Sequence, residues 1–178
     1  MKNLGLMKYF LGIEVSQTDD GIFICQTKYA KDVLKRFKML NCKPASTPVA
    51  TGLKLRKEDK GTKVDPSLFK RLVGSLMYLT ATRLDIMYAV ILISRFMEAP
   101  MDLHWLTGKM ILRYITGTRD YGILYSKSDD FILVGYIDSD FAGSIDDRKN
   151  TSWYIFHLGS RAISWASQKQ PIVTLSNT

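Results

Sequence analysis

The 178-residue sequence predicts an α+β fold in which strands and helices are segregated along the chain. Three observations carry this. A pair of short apolar runs around an Asp-Gly turn occupies the first 26 residues. Apolar residues then recur at helical spacing as far as Gly117, broken by one long aperiodic stretch. From Gly122 onward they alternate in short runs separated by Gly, Ser and Asp.

The elements follow in order. Residues 9–15 and 22–26 flank Ser16-Gln-Thr-Asp-Asp-Gly21 and read as a β-hairpin. Over 28–40, Tyr29, Val33, Phe37 and Leu40 fall on one helical face. Lys31, Lys35, Arg36 and Lys38 lie elsewhere, so this is an amphipathic helix with a basic outer surface. Residues 41–64 contain Pro44, Pro48 and a charged run from Lys54 to Lys60, with no periodicity. They predict a long exposed connection, either functional or mobile. Asp65-Pro66 is a helix start, a capping side chain followed by proline in the first turn, with Leu68, Leu72, Val73, Leu76 and Leu79 inward. A second helix over about 85–97 is apolar nearly all round, which predicts burial. A third opens at Asp102, turns Leu103, Leu106, Met110 and Tyr114 inward, and stops at Gly117. Residues 122–126 and 131–138 then flank Ser128-Asp-Asp130 as one hairpin. Residues 151–158 and 162–167 flank Gly159-Ser160 as another.

Composition narrows the function classes. Apolar residues at 46% and charged residues at 24% exclude wholesale disorder. No apolar run approaches the ~18 residues of a membrane span, so no membrane partner is expected. The first 15 residues lack the features of a secretory signal, which gives the expectation of an intracellular protein, cytoplasmic or nuclear. Cys25 and Cys42 make neither a disulfide framework nor a zinc site. The net charge of +8 is one-sided: residues 1–80 hold 15 Lys/Arg against 7 Asp/Glu, whereas residues 81–178 hold 10 of each. A basic segment of this kind is either a solvated surface or the footprint of a polyanionic partner, nucleic acid first, with Lys28, Lys31, Lys35, Arg36, Lys38, Lys70 and Arg71 as its contacts.

Chemistry-bearing constellations are few. His104 and His157 have no sequence partner for general-base work and read as structural. No glycine-rich phosphate loop is present. Asp138 and Asp140 end an apolar strand at i and i+2, on one face, which reads either as a turn or as two carboxylates sharing one divalent metal ion.

Together these stretches resemble the copia-type retrotransposon Pol polyprotein. The resemblance rests on Met1-Lys-Asn-Leu-Gly5, Tyr9-Phe-Leu-Gly-Ile-Glu-Val15, Gln26-Thr-Lys-Tyr-Ala30, Leu72-Val-Gly-Ser-Leu76, Thr82-Arg-Leu-Asp-Ile86, Ile111-Leu-Arg-Tyr114, Asp138-Ser-Asp-Phe-Ala-Gly143 and Ile163-Ser-Trp165, in family order. It implies a segment running from the end of the reverse transcriptase into the ribonuclease H domain. Residues 1–26 would be the palm-end, primer-grip-like hairpin, 27–100 the thumb-like helical region, 101–130 the connection, and 131–178 an incomplete ribonuclease H-like antiparallel sheet. An RNA–DNA or DNA duplex, bound without sequence preference, and the rest of the polyprotein are the implied partners. Magnesium is the implied cofactor of the intact enzyme, with none expected to function in this stretch.

The departures from the family bear on activity. No Tyr-x-Asp-Asp polymerase hairpin occurs, and Ser144-Ile-Asp-Asp147 only imitates one. Asp138 matches the first ribonuclease H carboxylate, while the family's glutamate and later aspartate are not among the 178 residues. Leu84, Phe141 and Trp153 stand where the family has proline, tryptophan and glycine. The expectation is a catalytically inactive fragment that retains duplex binding. The alternative is a co-opted, non-catalytic interaction protein of the effector-like kind. The sheet, lacking the family's covering helix, is expected to leave Trp153, Tyr154, Ile155 or Phe156 partly exposed.

Overall fold

Seven strands and four α-helices make up a computed structural model that describes residues 5–58, 61–127, 131–139, 146–159 and 161–171. The fold is α+β, as the segregation of periods implies.

The amino-terminal hairpin consists of β2 (Ile13–Thr18) and β3 (Gly21–Cys25), joined through Asp19-Asp20, with the two-residue β1 (Tyr9–Phe10) folded back along β2. Helix α1 (Thr27–Arg36) follows, with Gln26 as its N-cap residue. The Gln26 side chain does not cap the helix. Its amide donates to Tyr78 O at 3.3 Å and accepts from the Thr82 hydroxyl at 2.9 Å, locking the strand–helix corner to the next helix. Glu14 of β2 supplies the missing cap, its carboxylate accepting from Lys28 N at 2.7 Å.

Helix α1 stops at Arg36 rather than reaching Leu40. Lys38 adopts a left-handed conformation with φ 56°, and Met39 N returns to Leu34 O at 2.8 Å. This is a Schellman turn built on lysine in place of the usual glycine. The connection that follows is aperiodic, as expected, but it is stitched down. Leu55 is buried, Val49 and Leu53 pack on the core, Arg113 Nε donates to Lys43 O at 2.9 Å, and Val64 N donates to Pro100 O at 2.9 Å.

Helix α2 (Pro66–Leu79) begins where Asp65-Pro66 says it should, with Ser67 N donating to Asp65 Oδ1 at 2.9 Å. A 3-10 turn at Leu84–Ile86 leads into α3 (Met87–Ser94), whose Ala89, Val90, Leu92 and Ile93 are buried. Helix α4 spans Asp102–Gly117. Its inward face is the expected one only in part: Leu103 and Tyr114 pack on the core as anticipated. Leu106 is 58% exposed, while His104, Thr107, Gly108, Ile111, Leu112 and Ile115 are buried. The polar members of that face are satisfied locally: Thr107 Oγ1 donates to Leu103 O at 2.8 Å, and both His104 ring nitrogens are engaged. Gly108 lets α4 approach α2, since a Cβ there would lie 2.6 Å from Leu72 Cδ2. The apolar stripe alone did not reveal that a small residue makes the better contact.

A larger correction concerns the next strand. β4 (Gly122–Ser126) does not form a hairpin with residues 131–138. It pairs antiparallel with β3, Phe23 opposite Leu124 and Ile24 opposite Ile123, completing a four-stranded sheet of order β1-β2-β3-β4. Gly122 permits the approach, because a Cβ there would meet Ile24 O at 2.1 Å. Helix α4 returns the chain beside the hairpin, so the long-range partner wins over the local one. The expected Ser128-Asp-Asp130 turn lies outside the described residues.

The last three strands, β5 (Leu133–Ser139), β6 (Thr151–Leu158) and β7 (Arg161–Lys169), form a separate antiparallel sheet in chain order. Trp165 Nε1 donates to Thr80 O at 3.2 Å, and Arg95 donates to the Thr151 hydroxyl, so one face docks on the α2–α3 region. Leu133 and Ile137 alternate on the opposite face, which stays open, and Ile137 is 76% exposed. Trp153 and Tyr154 are partly exposed as well, as anticipated.

Candidate nucleic-acid interface

Helix geometry sorts the basic side chains. At 100° per residue, Lys28, Lys31 and Lys35 fall within roughly 60° of one another on the outer face of α1. Ala30, Val33 and Leu34 are buried against α2 and α4 on the other side. All three lysines, and Lys38 beyond the helix end, are exposed. Lys28 Nζ sits 5.4 Å from the Tyr9 ring, and Lys35 pairs with Asp32 at 3.7 Å across one turn. Such an exposed pair contributes little and leaves Lys35 available to a stronger anion.

Arg36 is exposed as well, and one of its guanidinium nitrogens is tied to the next helix. Its guanidinium donates to Ser75 Oγ at 3.1 Å, and that hydroxyl donates to Arg71 O at 2.8 Å. Arg36 therefore joins α1 to α2. The same junction carries Tyr29 edge-on against Tyr78, with ring centroids 4.8 Å apart. Lys70 and Arg71 are exposed on α2, one turn before Ser75. Lys31, Lys38, Lys70 and Arg71 make no ion pair among the described residues. The rigid α1–α2 junction thus presents a lysine-rich ridge to solvent. Exposed ammonium groups along one helix face suit phosphate contacts that ignore base sequence.

The carboxylates are arranged otherwise. Asp138 is exposed on β5, directly opposite Trp153 of β6. Its Oδ1 accepts from Ser139 N at 2.8 Å and its Oδ2 from Trp153 Nε1 at 3.3 Å. The indole that stands in place of a glycine therefore lies against the carboxylate. Asp140 lies outside the described residues. Asp146 accepts from Lys57 N at 3.0 Å, and Asp147 pairs with Lys169 at 2.8 Å. No three His, Cys, Asp or Glu side chains among the described residues come together as a metal cluster. The described residues do not fit a two-metal centre.

One buried charge escaped the sequence reading. Arg83 is almost wholly buried and forks onto Asp85, Nε to Oδ1 at 2.9 Å and Nη2 to Oδ2 at 2.6 Å. It also donates to Thr118 O at 2.8 Å and lies against the rings of Tyr114 and Tyr121. Burial and the neighbouring Asp85 carboxylate push the Tyr114 phenol up. Arg83 pins the α2–α3 turn to the end of α4, which explains why Thr82-Arg-Leu-Asp-Ile86 is a unit. The signal available in the sequence was an arginine two residues before an aspartate inside an apolar stretch. His104 is also structural: Nδ1 accepts from Met101 N at 2.9 Å, Nε2 faces Arg56 O at 2.9 Å, and the ring stacks on Phe96.

Residues 1–51 match the family described as reverse transcriptase (RNA-dependent DNA polymerase). The chain is 44% identical over 173 residues to the retrovirus-related Pol polyprotein from transposon RE2 of Arabidopsis thaliana, covering 97% of the chain and 12% of that polyprotein. It is 41% identical to the uncharacterized mitochondrial protein AtMg00810 of the same plant, over all of this chain and 74% of that one. The chain belongs to the copia-type retrotransposon Pol family. It spans about an eighth of the length of the RE2 polyprotein it matches. Another member of this neighbourhood is the secreted RxLR effector protein 161 of Plasmopara viticola, 42% identical over 107 residues, which are 60% of this chain and 75% of that protein. No solved structure matches the chain. Among the described residues no helix is long and apolar enough to cross a membrane.

Proposed function

We propose that this chain is the template–primer-holding segment of a copia-type reverse transcriptase/ribonuclease H polyprotein, and that by itself it binds duplex without catalysing. The observation that carries this is the ridge of exposed lysines on α1, braced by the Arg36–Ser75 link to α2. In this reading the hairpin and α1–α3 act as the primer grip and thumb, α4 as the connection, and β5–β7 as ribonuclease H-like strands. Lys28, Lys31, Lys35 and Lys38, with Lys70 and Arg71, would neutralise phosphates and make binding indifferent to sequence and sensitive to salt.

Catalysis would need residues beyond these. The 178 residues contain no Tyr-x-Asp-Asp, and Asp138 is engaged by Trp153 and Ser139. Magnesium would supply the charge stabilisation for nucleotidyl transfer and hybrid cleavage in the whole enzyme. Of the carboxylates expected to hold it, Asp138 is the one among the described residues.

The test is binding of a labelled RNA–DNA hybrid across a salt series. Lys31, Lys35 and Lys38 changed together to Gln should weaken binding and flatten the salt slope by about 2–3. Unchanged affinity at low salt would defeat the assignment. Metal-dependent hybrid cleavage abolished by Asp138→Asn would overturn the non-catalytic part. Similarity to the RxLR effector favours a second reading, an interaction protein that keeps the fold and has lost the chemistry. Absence of hybrid binding at low salt, with the fold intact, would favour it.

A further inference from the structure

A second cationic site lies away from the α1 ridge. The 41–64 connection, the end of α3 and the end of β7 enclose a pocket of about 280 Å³. Lys54, Lys57, Arg95 and Lys169 line it, with Asp146 as the carboxylate among them. Leu55 and Phe96, both buried, form part of its wall. An apolar wall lowers the local dielectric and strengthens every charge interaction inside.

Arg95 is the informative member. It is half-buried, and its Nη2 donates to the Thr151 hydroxyl. Its Nε is buried with no hydrogen-bond partner among the described residues, and no ion pair neutralises the guanidinium there. A buried donor without an acceptor, on a group that stays charged, is a costly arrangement. The neighbouring acids are otherwise occupied: Asp146 Oδ2 accepts from Lys57 N at 3.0 Å, and Asp147 pairs with Lys169 at 2.8 Å. Counting both acids, the four cations still leave a surplus of two positive charges.

We propose that this pocket is a phosphate-binding site, with the half-buried Arg95 guanidinium and the exposed Lys54 and Lys57 as its cations. A tetrahedral dianion offers several acceptors to one guanidinium edge and two ammonium groups, and it removes the unmatched charge. The phosphate belongs either to a nucleic-acid backbone or to a free phosphorylated molecule. The site shares no residue with the α1 ridge, so the two can be removed separately.

The experiment follows thermal unfolding of the full chain with sodium pyrophosphate against sodium chloride of equal ionic strength. Pyrophosphate at ten times its dissociation constant should raise Tm by about 3 °C or more beyond chloride. Lys54→Glu with Lys57→Glu, both exposed and outside the core, should remove most of that rise, whereas the Lys31/Lys35/Lys38 variant should keep it. Arg95→Gln should also remove it, although that change loosens the tie to Thr151. No rise beyond chloride, or a rise unchanged in the Lys54/Lys57 variant, overturns the site. RNA–DNA hybrid binding by the Lys54/Lys57 variant then identifies the source. A tenfold or greater loss at low salt supports backbone phosphate; full hybrid affinity with the pyrophosphate effect gone supports a free phosphorylated ligand.

Discussion

The helical body and the β5–β7 sheet are both rich in large apolar residues, yet they use them in opposite ways. In the helical body Phe69, Leu72, Ile86, Ile93, Ile111, Leu112 and Ile115 are sealed from solvent on four elements that pack on one another. In the sheet, Ala162 is the one buried hydrophobic residue among those described, while Leu133, Ile137 and Ile163 stand out in solvent. A helix needs one covered stripe, and three neighbouring helices can each cover the others. A sheet has two faces, and here α3 and the end of α2 cover only one. Apolar content therefore says how much surface wants burial, and the layering decides whether it gets it.

The contrast makes graded predictions. The largest effect should come from Arg83→Ala. It removes the buried side of a forked ion pair, leaves Thr118 O without its donor and opens a gap against Tyr114 and Tyr121, and should cost about 3–5 kcal/mol in urea unfolding, with Arg83→Lys recovering only part because ammonium lacks the fork. Leu112→Ala, in the same body, should cost about 2–5 kcal/mol. Ile137→Thr on the open sheet face should change stability by less than about 0.5 kcal/mol while raising the concentration at which the chain stays monomeric in sedimentation. Equal losses for Leu112→Ala and Ile137→Thr would abolish the distinction between the two regions.

Trp165→Phe tests the seam between them. It removes the hydrogen bond to Thr80 O and should cost about 1 kcal/mol, with faster amide exchange in β5–β7 than in α2 and α4. Lys38→Gly should stabilise by about 1 kcal/mol by relieving a left-handed lysine, while removing one candidate phosphate contact.

The smallest effects are electrostatic. Hydrogen bonds from the Thr62 hydroxyl and backbone hold the Asp102 carboxyl below the usual carboxylate range. Its folded value lies below its unfolded one, so its contribution is complete above the ordinary aspartate range and fades as pH falls through the folded value. Asp102→Asn should flatten the acid limb of stability against pH. The Tyr114 and Tyr125 phenols are pushed up, mainly by burial. Their contribution is complete below the ordinary phenol range and is lost as pH rises through their folded values. Tyr125→Phe should weaken the alkaline fall.

Local chemistry alone determined the β2–β3 turn, the Asp65-Pro66 helix start, the span of α4, the β6–β7 hairpin and the exposed lysines of α1. Each depends on residues a few positions apart: a turn pair, a capping oxygen, a helical period. Tertiary structure decided the rest. β4 left its sequence neighbour for β3, because α4 carried Gly122 beside Ile24. α4 turned His104 and Gly108 inward instead of Leu106, because a close helix contact and paired polar groups outweighed one leucine. Arg36, exposed like the neighbouring lysines, gained a hydrogen bond across to Ser75 that its place in the chain does not announce, because Ser75 lies on another helix. Arg83 and Arg95 look like any other arginine in the sequence. Their burial, and the unmatched charge at Arg95, arise only when elements distant along the chain close around them, since desolvation is a property of the assembled surroundings and not of the residue.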